Sequence, residues 1–318
     1  MHYGIVGIGP VGAVFAAHLN NAGHRVSVVD LNLHRQSYLQ TNPLVIAGKL
    51  SVKTQLSNLF TDMYDFVRAA PEVIFICTKT SHSHDVLRQM KAYGIDDSTI
   101  FVSTQNGIDA EDDIAEIFGE DRALRQVVHL GCNYVRKSEV WVEFCYKNFL
   151  SKKGPKEVAA RIASDLRSAG LETVLTDQYK VEAFKKAILN TSLSSVCALT
   201  RLTMREVMEQ PELVRMVRQI TTESIRVGEA MGLGLETGYI DTAMEYLAKG
   251  GDHKPSMLVD IELKRPTENE YHAGKLFKYA DKHSIEVPVI QTVYYLLKNL
   301  ERGVILDSYV AEGMKASA

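Results

Sequence analysis

Cysteine is scarce in this chain, with four residues in 318, and no two of them form a C-x-x-C pair. Cys77, Cys132, Cys145 and Cys197 are scattered. That spacing argues against a disulfide framework and against zinc, and it suits reduced, buried thiols in a cytoplasm. No stretch approaches the roughly 20 apolar residues of a membrane span. There is no internal repeat and no low-complexity tract. The first strand begins directly after the N-terminal methionine, so no signal peptide is expected before it. No excess of basic charge is present either. The 36 Lys and Arg nearly balance the 39 Asp and Glu, for a net charge of −3. Nothing in that balance favours nucleic acid or an anionic membrane as partner. What remains is 46% hydrophobic and 24% charged, ordinary for a soluble globular protein. The length argues for two domains.

The first thirty residues hold the clearest pattern. Gly7-Ile8-Gly9-Pro10-Val11-Gly12 is a G-x-G-x-x-G turn. Tyr3–Val6 before it reads as a short buried strand. Residues 11–21 after it read as a helix, with Val11, Val14, Phe15 and Leu19 at helical spacing. Gly23 is placed to cap that helix. Residues 25–29 form a second strand that ends on Asp30. Strand, tight turn, helix, strand and terminal acid together make the dinucleotide-binding fingerprint. Gly7 permits the sharp turn, Gly9 lets the backbone approach a pyrophosphate, and Gly12 lets helix and strand pack closely. The helix N-terminus offers unpaired N–H groups to phosphate.

Further on, residues 71–77 form a continuous apolar run, the mark of a parallel strand buried on both faces. Lys79 follows its end, and a helix is expected from about Ser83 to Tyr93. Another buried strand, residues 99–103, leads into Gln105-Asn106-Gly107. Strands alternate with helices over short links, which predicts a doubly wound parallel sheet with ligands beyond its C-terminal strand ends. The turn Gly7–Gly12, Asp30, Lys79 and Asn106 all fall at such ends. Asn106-Gly107 also reads as an ordinary turn dipeptide. Residues 122–150 look β-rich and antiparallel, with strands at 127–130 and 140–144. From Asp177 onward the periodicity is helical, over 180–198, 204–231, 235–248, 256–264, 267–283 and 287–301. The expected organisation is α/β: a Rossmann-type dinucleotide-binding domain over 1–177, followed by a mostly α-helical domain over 178–318.

In the helical part, Lys186, Asn190 and Ser194 are spaced four apart, so a helix places an ammonium, an amide and a hydroxyl on one stripe. Their neighbours are apolar, and polar groups on a buried helix need partners. Lys186 reads equally as a structural ion-pair partner, and Lys185 competes with it. Ser256 also reads as a helix N-cap. Thr267 with Glu270 forms a T-x-x-E capping box, and Glu268 then reads as a first-turn acid as well as a catalytic one. His82 and His84 make an H-x-H without an acid or cysteine at metal spacing, so a surface loop and no metal site are expected.

Taken together, these residues resemble the ketopantoate reductase family (2-dehydropantoate 2-reductases) over nearly the whole chain. The motifs that match are the Gly7–Gly12 turn, Lys79, Gln105-Asn106-Gly107, and Phe184 with Lys186 and Asn190. The later ones are Pro255-Ser256-Met257 with Asp260, and Thr267-Glu268 with Tyr271 and Gly274. The resemblance selects Lys186 over Lys185. It implies reduction of a 2-keto acid to a 2-hydroxy acid by a nicotinamide cofactor, with ketopantoate and pantothenate biosynthesis as the leading substrate and pathway. Lys186 would donate a proton to the ketone oxygen or polarise it. Glu268 would bond the substrate hydroxyl and orient the lysine. Ser256 would bind the carboxylate, and Asn190 and Asn106 would position substrate and nicotinamide.

The chain departs from the family pattern in four places. Ser194 replaces an asparagine, which leaves room for another substrate. His82 stands where glutamine is common. Asp30 stands where many members carry an arginine for the 2′-phosphate of NADPH, which favours NAD(H), although Arg35 is near enough to keep NADP(H) open. Segment 129–150 carries Tyr134, Trp141 and Phe144 in place of a glycine-rich stretch. Two other readings stand beside the first: a reductase of a different keto acid on the same plan, and a regulatory protein that binds NAD(P)H without turnover. The apolar content of the helical domain is enough for a homodimer.

Overall fold

The computed structural model describes residues 1–316, with side chains through residue 305. Twelve strands are present among them: β1 (His2–Val6), β2 (Arg25–Val29), β3 (Leu44–Gly48), β4 (Val52–Thr54), β5 (Asn58–Phe60), β6 (Val73–Ile76), β7 (Ile100–Ser103), β8 (Ala123–Val127), β9 (Leu130–Arg136), β10 (Glu139–Cys145), β11 (Asn148–Ser151) and β12 (Thr173–Thr176). The helices of the first half are α1 (Pro10–Asn21), α2 (Leu33–Thr41), α3 (Met63–Arg68), α4 (Ser83–Ala92), α5 (Asp112–Phe118) and α6 (Lys156–Ser168). They are followed by α7 (Tyr179–Leu189), α8 (Ser195–Thr200), α9 (Met204–Met208), α10 (Pro211–Ala230), α11 (Tyr239–Ala248), α12 (Ser256–Glu262), α13 (Ala273–Lys282) and α14 (Pro288–Ala316). The chain divides into two compact units. One holds residues 1–105 and 109–179, the other residues 106–108 and everything from 180 on.

The first unit is built on an eight-stranded sheet in the order β12-β11-β8-β7-β6-β1-β2-β5. Pairing is parallel from β5 through to β8 and antiparallel between β8 and β11. The central strands are buried along their length, which is why they read as unbroken apolar runs rather than alternating ones. A second, four-stranded sheet has the order β4-β3-β10-β9. Helix α1 packs against both sheets, and every residue from Gly12 to Leu19 is buried. A helix apolar all round needs cover all round. Here the small sheet supplies it, with Leu44, Ile46, Val140 and Val142 sharing one core with Val14 and Phe15.

The second unit is helical. Val217, Ile220, Thr221, Ser224, Val227 and Gly228 of α10 are buried at the i, i+3, i+4, i+7 spacing of a core-facing stripe. Of these, Val217, Ile220 and Val227 share a core with Phe184, Ala187 and Ile188 of α7. Glu223, also on α10, is fully buried and accepts the N–H groups of Val289 (3.2 Å) and Ile290 (2.9 Å). A carboxylate there satisfies orphan donors at the N-terminus of α14 and meets the positive end of its dipole.

Several local expectations are corrected. Residues 127–130 are not one strand: β8 ends at Val127 and β9 starts at Leu130, where the chain leaves the large sheet for the small one. Between Asp30 and β4, Asn32 caps α2 through Arg35 N–H and β3 follows. The capping box at Thr267 is absent. Thr267 Oγ1 bonds Glu301 (2.5 Å), while Glu270 accepts from Tyr294 (2.7 Å) and Lys298 (2.5 Å), so a 3-10 turn fills 269–271 and α13 starts at Ala273. Tertiary partners on α14 outcompete the local cap. Pro255, not Ser256, holds the N-cap position of α12. Among the described residues, no helix is long and apolar enough to cross a membrane.

Candidate active site

The glycine turn joins β1 to α1. Gly7 has φ +94°, a conformation that L side chains rarely adopt. A Cβ on Gly12 would overlap the Gly7 carbonyl oxygen, so only glycine lets α1 start this close to the strand end. A Cβ on Gly9 would meet nothing within 4 Å. The three glycines therefore differ: two are required by the protein's own backbone, and the third faces open space. Pro10 occupies the first helical turn, and no side chain caps the helix. Its N–H groups are therefore available to an anion.

Asp30 follows β2. Its Oδ2 accepts from Ile8 N–H and its Oδ1 from Asn32 N–H, both at 2.6 Å. A carboxylate can accept about four hydrogen bonds, so Asp30 keeps acceptor capacity for a diol. Tyr134 of β9 donates its hydroxyl to the Ile8 carbonyl at 2.9 Å. The Arg35 guanidinium carbon lies 3.9 Å from the centre of the Tyr134 ring. Lys79 is half-buried at the turn after β6, and His82 is exposed. Open space at Gly9, an uncapped helix and an unsaturated carboxylate fit a dinucleotide.

In the second unit, three residues distant in sequence meet. Lys186 Nζ donates to Asn106 Oδ1 at 2.8 Å. Asn106 Nδ2 donates to Glu268 Oε2 at 3.3 Å. The amide orientation follows from chemistry: an ammonium only donates and a carboxylate only accepts. Asn106 is held by its neighbours. Gly107 has φ +104°, and a Cβ there would press on Tyr271 at 2.9 Å. Ile108 N–H donates to Tyr271 O at 3.1 Å, and the Ile108 side chain joins the helical core. Glu268 is 9% exposed. Lys185 is committed elsewhere, to Glu236 (2.5 Å) and Glu182 (3.5 Å).

The helix carrying Lys186 is interrupted. Asn190–Ser194 form a π turn between α7 and α8, a rare feature that often marks functional sites. Asn190, Ser192 and Thr191 were legible only as a continuing α-helix, because a π turn has no sequence signature of its own. Ser194 is buried and Asn190 half-buried, while Ser256 is exposed on the first turn of α12. Among the described residues, no hydrogen bond joins Asn190, Ser194 or Ser256 to the Lys186–Asn106–Glu268 trio. Tyr134 was visible only as an aromatic in an unusual segment; its place against the glycine turn depends on a sheet that residues 129–150 alone do not reveal. The described residues contain no cluster able to hold a metal.

A Rossmann-type unit followed by a helical unit in which a lysine, an amide and a carboxylate are in hydrogen-bonded contact is an arrangement that fits an oxidoreductase acting on a keto acid. The family model described as ketopantoate reductase PanE/ApbA matches residues 3–149, and its C-terminal counterpart matches residues 179–301. The chain belongs to the ketopantoate reductase family. It is 24% identical over 302 residues to a 2-dehydropantoate 2-reductase of Pyrococcus abyssi, covering 93% of this chain and 97% of the relative. Its fold matches a 2-dehydropantoate 2-reductase of Geobacter metallireducens with a TM-score of 0.87 at 22% identity, over 94% of this chain and 99% of the other. It also matches a D-mandelate dehydrogenase solved with NADH and anilino(oxo)acetate, with a TM-score of 0.85 at 20% identity over 96% and 99% of the two chains.

Proposed function

We propose that this protein reduces a 2-keto acid to a 2-hydroxy acid, with ketopantoate as the leading substrate and a place in pantothenate biosynthesis, and with NADH favoured over NADPH. The observation that carries this reading is the Lys186–Asn106–Glu268 chain of hydrogen bonds. A reduced nicotinamide, when bound, would supply the hydride that reduces the ketone carbon. Lys186 gives a proton from Nζ to the ketone oxygen, or polarises it, as negative charge develops there. Asn106 holds that ammonium through its carbonyl oxygen and ties it to Glu268. Glu268 orients the pair and bonds the product hydroxyl. Ser256 binds the substrate carboxylate, and Asn190 and Ser194 shape the substrate side. Gly7 to Gly12 bind the pyrophosphate at the α1 N-terminus, and Lys79 contributes positive charge beyond β6. Asp30 accepts from the ribose diol and repels a 2′-phosphate.

The test is Lys186→Ala. Turnover should fall by a factor on the order of 10² or more while NADH binding persists; an unchanged rate removes the mechanism. Comparison of kcat/KM with NADH and NADPH tests the use of Asp30, and a strong preference for NADPH would show it wrong. A second reading, reduction of another 2-keto acid, is favoured by the short buried hydroxyl of Ser194. Assay of ketopantoate against a panel that includes an aryl keto acid decides between them. Binding of cofactor without turnover of any panel member would favour a sensor.

A further inference from the structure

The glycine turn and the cofactor-selecting acid are joined to a third element. Ile8 is clamped on both sides of its backbone: its N–H donates to Asp30 (2.6 Å) and its carbonyl accepts from Tyr134 (2.9 Å). Tyr134 lies on β9, in the sheet that covers α1. Burial pushes its phenol up from the ordinary value, so the hydroxyl remains a donor across the physiological range. The face of the same ring carries the Arg35 guanidinium at 3.9 Å, within cation–π range. Arg35 sits on the first turn of α2, whose N-cap Asn32 also bonds Asp30. Ile8, Asp30, Asn32, Arg35 and Tyr134 are thus one connected network around the residue that would read the ribose.

We propose that Tyr134 sets cofactor choice: its hydroxyl fixes the glycine turn and its ring holds the Arg35 guanidinium over its face, so that the guanidinium is withheld from a 2′-phosphate. An arginine is the natural partner of that phosphate, because its planar fork matches phosphate oxygens. To serve NADPH, Arg35 must leave the ring. NADH makes no such demand, because Asp30 accepts from its diol without moving the arginine. The two contacts of Tyr134 separate by chemistry. Tyr134→Phe removes the bond to Ile8 and keeps the ring; Tyr134→Leu removes both.

The proposal rests on the reading of the first unit as a dinucleotide site, and its test distinguishes the two. Dissociation constants of NADH and NADPH are measured by fluorescence titration on the full chain and its variants, with circular dichroism confirming the fold. Tyr134→Phe should weaken both cofactors by similar factors and leave their ratio within about twofold. Tyr134→Leu should move the ratio toward NADPH by about tenfold, the scale of a lost cation–π contact. Adding Arg35→Ala to Tyr134→Leu should abolish that shift. Arg35→Ala alone, a substitution of a half-buried helical side chain, should leave the ratio of the parent nearly unchanged. The proposal is overturned if Tyr134→Leu folds and leaves the ratio where it was, or if its shift survives without Arg35. It is equally overturned if Arg35→Ala alone weakens NADPH more than tenfold, for the arginine would then already serve the phosphate. Failure of the parent chain to bind either cofactor sinks the dinucleotide reading itself.

Discussion

Asn106 has two neighbours of opposite charge and one amide with which to answer both. Its oxygen faces Lys186 and its nitrogen faces Glu268. Replacing the amide nitrogen by oxygen breaks this arrangement on one side only. Asn106→Asp should strengthen the contact with Lys186 and set a carboxylate against Glu268, where like charges disfavour ionisation of one of them. A stronger anionic partner holds the lysine proton more tightly. The expected outcome is a drop in kcat on the order of 10², with the alkaline limb of the pH–rate profile moved to higher pH. A profile that keeps its limb and its plateau would show that Asn106 is not the link between the two groups. Glu268→Gln should keep the hydrogen-bond geometry and lose the charge, and kcat should fall less than in Lys186→Ala. Spacing could nominate Lys186 and Glu268 but could not join them. Asn106 and Glu268 are separated by 162 positions, and no periodicity links residues so far apart. The choice between Lys185 and Lys186 was likewise out of reach of spacing, since it depends on Glu236, whose carboxylate takes Lys185.

At the scale of elements, the opening β1–turn–α1 was legible because every part of it is local. Glycine positions, strand length and helix spacing all fall within thirty residues. The small sheet was not legible, because its β10 pairs in parallel with β3 across most of the first unit. That sheet explains the apolar character of α1 that a two-layer picture leaves over. It also explains why residues 129–150 carry bulky side chains: Phe144 packs on Gly131, where a Cβ would collide with its ring. The glycine turn itself yields a paired prediction. Gly12→Ala forces a methyl group into the Gly7 carbonyl, so it should lower thermal stability, by a few kcal/mol on the scale of overpacked or strained sites. Gly9→Ala meets nothing within 4 Å, so its melting temperature should stay close to the parent's while its cofactor affinity falls. Calorimetry with and without NADH separates the two. Equal destabilisation by both substitutions would mean that Gly9, like Gly12, is required by the fold and not by a ligand.

The whole molecule has a pH response written into its histidines. His2, His18 and His24 are each held below the ordinary histidine value, chiefly by burial; Arg25 adds to the effect at His2, and Asp165 opposes it at His24. The geometry at His18 shows why. Its Nδ1 must carry a proton, since it lies 2.7 Å from the Ala169 carbonyl oxygen, which can only accept. Its Nε2 is buried without a hydrogen-bond partner, so a second proton there would be a charge with nothing to receive it. A lowered folded value means that the unfolded chain takes up protons first as pH falls through about 6.5. Stability is therefore fully present above that value and is lost below it, until the folded value is reached. The lowered carboxylates Glu206 and Glu236, held down by hydrogen bonds from Thr203 and Lys185, act in the same direction but only from about 4.5 downward. The expected result is a thermal midpoint that is flat near pH 7.5 and falls as the pH drops below about 6.5. Each histidine contributes at most about 1.4 kcal/mol per pH unit. His18→Asn keeps a donor for the Ala169 carbonyl and removes the titrating nitrogen. It should lower stability at neutral pH yet make the acid slope shallower by up to one proton. A variant whose slope matches the parent's would place the acid sensitivity in other groups, and a parent whose midpoint rises below pH 6.5 would reverse the sign argued here.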